Sequence, residues 1–253
     1  MVGTVTLEAT IPDLEHVLAG GNVAAEVVRI GDTVRKPVTP ATPAVEALLA
    51  HLDGFPGAPR HLGRDDQGRQ VLEYVPGTID DIPADNRELH RVGRLIRDLH
   101  DAVADFGPPT DARWQVVIPP DREDLVCHHD LAPWNLVRAE DRWVFIDWDG
   151  AGPGSRLWDL AYAAHGFVPM HPNGDPDTDG PRLRALADGY GLDEGRAELP
   201  ALVVAHTRGM YDLLRTSTEE PWTRLHAEGH ADHWGPAADY IERHLDVWRT
   251  ALG

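Results

Sequence analysis

The stretch His128-His129-Asp130-Leu131-Ala132-Pro133-Trp134-Asn135, with the Asp147-Trp148-Asp149 that follows it, decides how the whole chain is read. Leu136-Val137-Arg138 and Trp143-Val144-Phe145-Ile146 are strand-like runs, and the polar Ala139-Glu140-Asp141-Arg142 between them suits a hairpin turn. An antiparallel hairpin brings its open ends together. Asn135 enters the first strand and Asp147 leaves the second, so a carboxamide and a carboxylate arrive side by side as oxygen ligands for one hard divalent cation. Asp130 stands one tight loop away, and Pro133 restricts Ala132 and stiffens that loop.

This pattern, His128-x-Asp130-x-x-x-x-Asn135 followed by Ile146-Asp147-Trp148-Asp149, resembles the aminoglycoside phosphotransferase family, the small-molecule branch of the protein-kinase-like fold. Trp148-Asp149 stands where protein kinases carry Phe-Gly. The resemblance implies that Asp130 is the catalytic base and that Asn135 and Asp147 hold Mg2+. It also implies that Asp159, in Leu157-Trp158-Asp159-Leu160-Ala161, braces the catalytic loop together with a structural His128. The implied co-substrate is ATP or GTP, and the implied acceptor is a hydroxyl of a small molecule. Between Asp147 and Asp159 there is no Ala-Pro-Glu and no room for a long peptide-seating segment, which disfavours a protein kinase. A nucleotide-binding pseudokinase or regulatory module would have lost Asp130, Asn135, Asp147 or Lys36, and all four are present.

The rest of the chain falls into order around this motif. Residues 24–30 and 33–38 read as a hairpin about Gly31-Asp32, preceded by Gly20-Gly21-Asn22, which in the resembling family covers the nucleotide phosphates. Lys36, on the second of these strands, is the single lysine among 23 basic side chains, and a kinase-like fold places its phosphate-contacting ammonium there. A helix is expected from Pro43 to Leu52 with Thr42 as N-cap; by resemblance, its Glu46 holds Lys36 in place. Gln70 to Gly77 reads as a strand ending in a Pro-Gly break and is the expected joint; by resemblance, Glu73 and Val75 there offer backbone groups to the nucleotide base. Helices follow over 86–103, with apolar residues at helical spacing, and near 181–190, 198–216 and 237–252. The expected architecture is therefore α+β, a protein-kinase-like two-lobe fold. A nucleotide-binding lobe covers residues 1–77, ending in a hinge at 73–77, and a larger helical lobe covers 78–253 with the catalytic loop and acceptor site.

Composition narrows the function classes. The formal charge of −19 argues against a sequence-independent grip on nucleic acid. No apolar run is long enough for a membrane span and no basic-apolar leader is seen, so a cytoplasmic location is the expectation. Cys127 is the only cysteine and reads as a buried apolar residue. Residues 160–253 hold 15 acidic and 8 basic side chains. That surplus, with Asp149, Asp175, Asp177 and Asp212 as candidate contacts, points to an amine-bearing acceptor such as an aminoglycoside or amino alcohol. His226, His230 and His233 have i, i+4, i+7 spacing and are a rival zinc constellation, weakened by Gly229.

Overall fold

The computed structural model describes residues 15–18, 27–79, 83 and 85–253. Five short strands form an antiparallel sheet: β1 (His16–Val17), β2 (Val28–Ile30), β3 (Thr33–Lys36), β4 (His61–Arg64) and β5 (Gln70–Glu73), in the order β1-β2-β3-β5-β4. The β2–β3 turn forms because Gly31 takes φ 57°, a left-handed value that glycine adopts at little cost, and because the Thr33 hydroxyl donates back to the Ile30 carbonyl at 2.7 Å. Helix α1 (Thr42–His51) lies beside the sheet and buries Val45, Leu48 and Leu49. Thr42 is not its N-cap. Ala41 takes that position, while the Thr42 hydroxyl accepts from the Thr39 amide at 2.8 Å, tying down the chain before the helix instead of its first turn.

After β5 the chain is mostly helical. Helix α2 (Asn86–Ala102) starts at Asp85, whose carboxylate accepts from the amides of Arg87 and Glu88 at 2.9 and 3.0 Å. Its face of Leu89, Val92, Ile96 and Leu99 is buried. Two short ladders follow: β6 (Leu125–Cys127) pairs with β9 (Gly152–Gly154), and between them β7 (Leu136–Arg138) pairs with β8 (Trp143–Phe145). The remaining elements are α3 (Arg156–Phe167), α4 (Pro176–Tyr190), α5 (Leu199–Thr216), α6 (Trp222–Ala227), α7 (Ala231–Arg243) and α8 (Leu245–Leu252). No described helix is long and apolar enough to cross a membrane.

Two helices depart from the sequence pattern. The helix expected near 181–190 starts earlier, at Pro176, because Asp175 caps it and Pro176 brings a helical φ to its first position. The single helix expected over 237–252 is two, α7 and α8, joined at His244. One hydrophobic cluster runs from α1 and β5 through α2, the β7–β8 hairpin and α3 to α8, so the sheet and the helices share a core.

Candidate active site

The β7–β8 hairpin has the expected register, Leu136 opposite Phe145 and Arg138 opposite Trp143. Its open end is closed by the Ile146 amide donating to the Asn135 carbonyl at 2.8 Å, which sets Asn135 beside the chain leading into Asp147. The Asn135 amide nitrogen donates to the Asp130 carbonyl at 3.0 Å. That bond fixes the carboxamide orientation and leaves its oxygen, the hard-ligand end, for other work.

Among the described residues two that are not glycine have left-handed backbone, His129 (φ 64°) and Asp147 (φ 63°), and both belong to the motif. Such conformations cost free energy and persist where the surroundings over-determine them. For His129 the surroundings are Asp159. Its two oxygens accept from the His129 amide at 2.8 Å, the His128 amide at 3.1 Å and His100 Nε2 at 3.1 Å. His100 Nδ1 in turn meets the Tyr190 hydroxyl at 2.9 Å. Asp159 is fully buried, which by itself would raise its pKa. The hydrogen bond and charge of His100, with the neighbouring His129 and His128, outweigh that and hold it at about 2. An ionised carboxylate on α3 thus pins the loop that carries Asp130.

His128 braces the same loop from within. Its Nε2 lies 3.2 Å from the Ile146 carbonyl and its Nδ1 3.2 Å from the Asp130 amide, contacts that a neutral ring protonated on Nε2 satisfies at both ends. Burial pushes its pKa down to about 4, in keeping with that neutral form. Its ring packs on Trp148, centroids 4.5 Å apart.

The half-buried Asp130 carboxylate accepts from the Tyr162 hydroxyl at 2.7 Å. Burial raises the Asp130 pKa to about 6, against the Tyr162 bond, which lowers it, and with help from the charge of Asp147. Lys36 is buried at the end of β3 and its ammonium lies 2.7 Å from Asp147 Oδ1 and 2.8 Å from Asp149 Oδ2. Two elements distant in sequence are thereby joined at one point. Burial opposes the charge on Lys36, yet the two carboxylates raise its pKa overall.

The structure gathers Lys36, Asp130, Asn135, Asp147 and Asp149, while other expected contacts lie elsewhere. Glu46 does not hold Lys36: Arg64, at the end of β4, takes its carboxylate in a two-pronged pair, both distances 2.9 Å, with His61 at 3.6 Å. The lysine's carboxylate partners come from Asp147 and Asp149, and Asp149 serves here rather than toward an acceptor. Asp175 caps α4, accepting from the Asp177 amide at 3.1 Å, and Asp177 and Asp212 are exposed. Among the described residues none of these three bonds to the catalytic loop. Glu73 pairs with Arg142 at 2.6 Å and Val75 is buried against Val137 and Val144, which anchors the joint to the hairpin; Thr78 and Arg138 bridge the two backbones there. Gly20, Gly21 and Asn22 lie outside the described residues. Tyr162 went unnoticed in the sequence because its three-residue offset from Asp159 carries no signal until α3 is placed.

The zinc alternative does not assemble. Gly229 (φ 87°) separates His226 on α6 from His233 on α7. Among the described residues the one His/Cys/Asp/Glu group with metal-ligand spacing is His100, Cys127 and Asp159, whose Asp159 oxygens are already taken by N–H donors. Cys127 is buried, its thiol pushed well above the usual range by that burial.

Residues 48–202 match the model of the Phosphotransferase enzyme family. The chain belongs to that family. It is 31% identical over 195 residues to the trifolitoxin immunity protein of Rhizobium leguminosarum bv. trifolii, covering 70% of this chain and 74% of that protein. Among solved structures it resembles an amicoumacin kinase in complex with AMP-PNP and Ca2+ (14% identity, TM-score 0.66, 90% and 88% of the two chains). It also resembles a microcompartment-associated aminopropanol kinase (16%, 0.64, 97% and 95%) and a choline/ethanolamine kinase family protein from Mesorhizobium loti (18%, 0.58, 94% and 92%). At these identities the structural likeness is one of fold, the kinase-like α+β fold read from the sequence. Family membership makes the protein a phosphotransferase.

Proposed function

We propose that this phosphotransferase moves the γ-phosphoryl group of ATP to a hydroxyl of a small molecule, with Asp130 as the base. The observation that carries the reading is the convergence of Asp130, Asn135, Asp147 and Lys36 from three separate segments onto one point. Phosphoryl transfer asks the protein for position and charge rather than covalent chemistry, and these groups supply both. The Asp130 oxygen not engaged by Tyr162 accepts the acceptor's proton. Lys36, held by Asp147 and Asp149, presents its ammonium to phosphate oxygens.

The donor set fits a magnesium ion. The Asn135 carboxamide oxygen and the Asp147 carboxylate are hard oxygen ligands, and the hairpin end, where the Ile146 amide bonds the Asn135 carbonyl, keeps the two residues' segments side by side. When bound, the ion neutralises charge on the phosphates. The nucleotide lies between the sheet and the helical part, divided at about residue 77, with backbone groups of Glu73 and Val75 toward the base and Gly20, Gly21 and Asn22 over the phosphates. The experiment is consumption of ATP and of GTP with Mg2+ across a panel of small alcohols. Acceptor-dependent release of ADP supports the reading; hydrolysis alone, or no nucleotide binding, contradicts it.

A second reading concerns purpose. Likeness to a protein named for immunity favours an acceptor that is toxic until phosphorylated. Expression of the chain should then raise the tolerance of a sensitive cell, and an Asp130→Asn variant should not.

A further inference from the structure

Lys36 is a buried ammonium, and a buried charge persists only with a counter-charge beside it. Its ion-pair partners among the described residues are the carboxylates of Asp147, at 2.7 Å, and Asp149, at 2.8 Å. Residues two apart reach the same ammonium because the chain turns between them: Asp147 has left-handed backbone and opens a 3₁₀ turn over Trp148–Gly150. Trp148, in the middle, is buried, packs on His128 and donates its indole N–H to the Phe145 carbonyl at 2.9 Å. The turn is held from its inner side while both carboxylates remain partly open, their side chains 32% and 42% exposed.

The two carboxylates are not equivalent. Asp147 is the one that fits Mg2+, and a carboxylate shared with a dication has less charge to offer an ammonium. Lys36 then needs another partner. Gln70 stands opposite it across the β3–β5 ladder and is buried but neutral. Glu46 is held by Arg64 through both oxygens at 2.9 Å, with His61 at 3.6 Å, and taking it for Lys36 would break that two-pronged pair. Asp149 already touches the ammonium, so its hold needs no rearrangement. An ammonium has three donors, and a lysine resting on Asp149 keeps the others for phosphate oxygens.

We infer that Asp149 is the residue that positions Lys36 once Mg2+ occupies Asp147, the task that the resemblance assigned to Glu46. This rests on the phosphotransfer reading above and adds a positioning residue to its site. The test is binding of a non-hydrolysable ATP analogue, measured by titration calorimetry with and without Mg2+. Asp149→Asn should weaken binding by about tenfold or more with Mg2+, the scale of a hydrogen bond to a charged group. Without Mg2+ the same change should not weaken binding, because Asp147 still holds the lysine. Glu46→Gln should leave the affinity with Mg2+ unchanged. In a Lys36→Met background Asp149→Asn should add nothing, since it acts through the lysine. Four results would overturn the inference and leave the phosphotransfer reading standing: no loss in Asp149→Asn, an equal loss with and without Mg2+, a matching loss in Glu46→Gln, or an Asp149→Asn effect that survives in Lys36→Met. The last would make Asp149 a ligand of the metal itself. A wild-type protein that binds no nucleotide would overturn both.

Discussion

Replacing Asp159 by Asn tests whether the catalytic loop is held by a charge or merely filled by a side chain. The carboxylate accepts three N–H donors, one on Oδ1 and two on Oδ2. An amide has one acceptor oxygen. If that oxygen takes the Oδ2 place, the new NH2 faces the His129 amide, donor against donor; in the opposite orientation it faces His128 and His100. The site is fully buried, so water cannot repair the mismatch. Losing at least one hydrogen bond to a charged group and orphaning its donor costs about 2–4 kcal/mol. The pH dependence supplies an independent check. The Asp159 pKa is lowered from 3.8 to about 2 in the fold. Its contribution, about 2 kcal/mol, is therefore complete near neutral pH and is lost as pH falls from about 4 toward about 2. Urea unfolding followed by tryptophan fluorescence should show a variant less stable near neutral pH, with the gap to the wild type narrowing below about pH 4. A loss under about 0.5 kcal/mol, or a gap that does not move with pH, would refute the argument.

Three further outcomes follow from single contacts. Asp147→Asn keeps a residue that tolerates the left-handed backbone but removes its charge, so the Mg2+ dependence of nucleotide affinity, measured by titration calorimetry, should weaken by at least about tenfold. Tyr162→Phe frees the Asp130 oxygen that the phenol holds; kcat should drop by about tenfold with the nucleotide KM unchanged, since a misplaced base slows the reaction without loosening the nucleotide. Gly93→Ala puts a methyl against the Leu186 carbonyl and the Tyr190 amide of α4, where two helix backbones touch, and should cost about 1–3 kcal/mol or more in urea unfolding.

The parts of this protein legible from sequence are those whose signal is local. The β7–β8 hairpin, with Asn135 and the approach to Asp147 at its open end, was readable because alternation, turn and motif lie within twenty or so residues. Helix α2 was readable from its apolar spacing. The partner of Lys36 was not, because Glu46 nearby in sequence and Asp147 far along the chain are both carboxylates and only packing decides between them; Arg64, presented by β4 beside α1, takes Glu46 first. The acidic surplus of the helical part suggested a charged cleft, but capping is a local demand that Asp175 meets at the start of α4, and composition cannot separate the two uses.

The central claim is that Asp130 accepts the proton of the hydroxyl that is phosphorylated, and Asp130→Asn addresses it most directly. The change keeps size and leaves the backbone carbonyl that Asn135 uses, while removing the proton acceptor. With an acceptor that the wild-type protein phosphorylates, turnover should fall by about 10²–10⁴ while the affinity for nucleotide with Mg2+ stays within about twofold. Near-normal turnover in this variant, with nucleotide affinity intact, would show that Asp130 is not the base and that the reaction is organised around a different group.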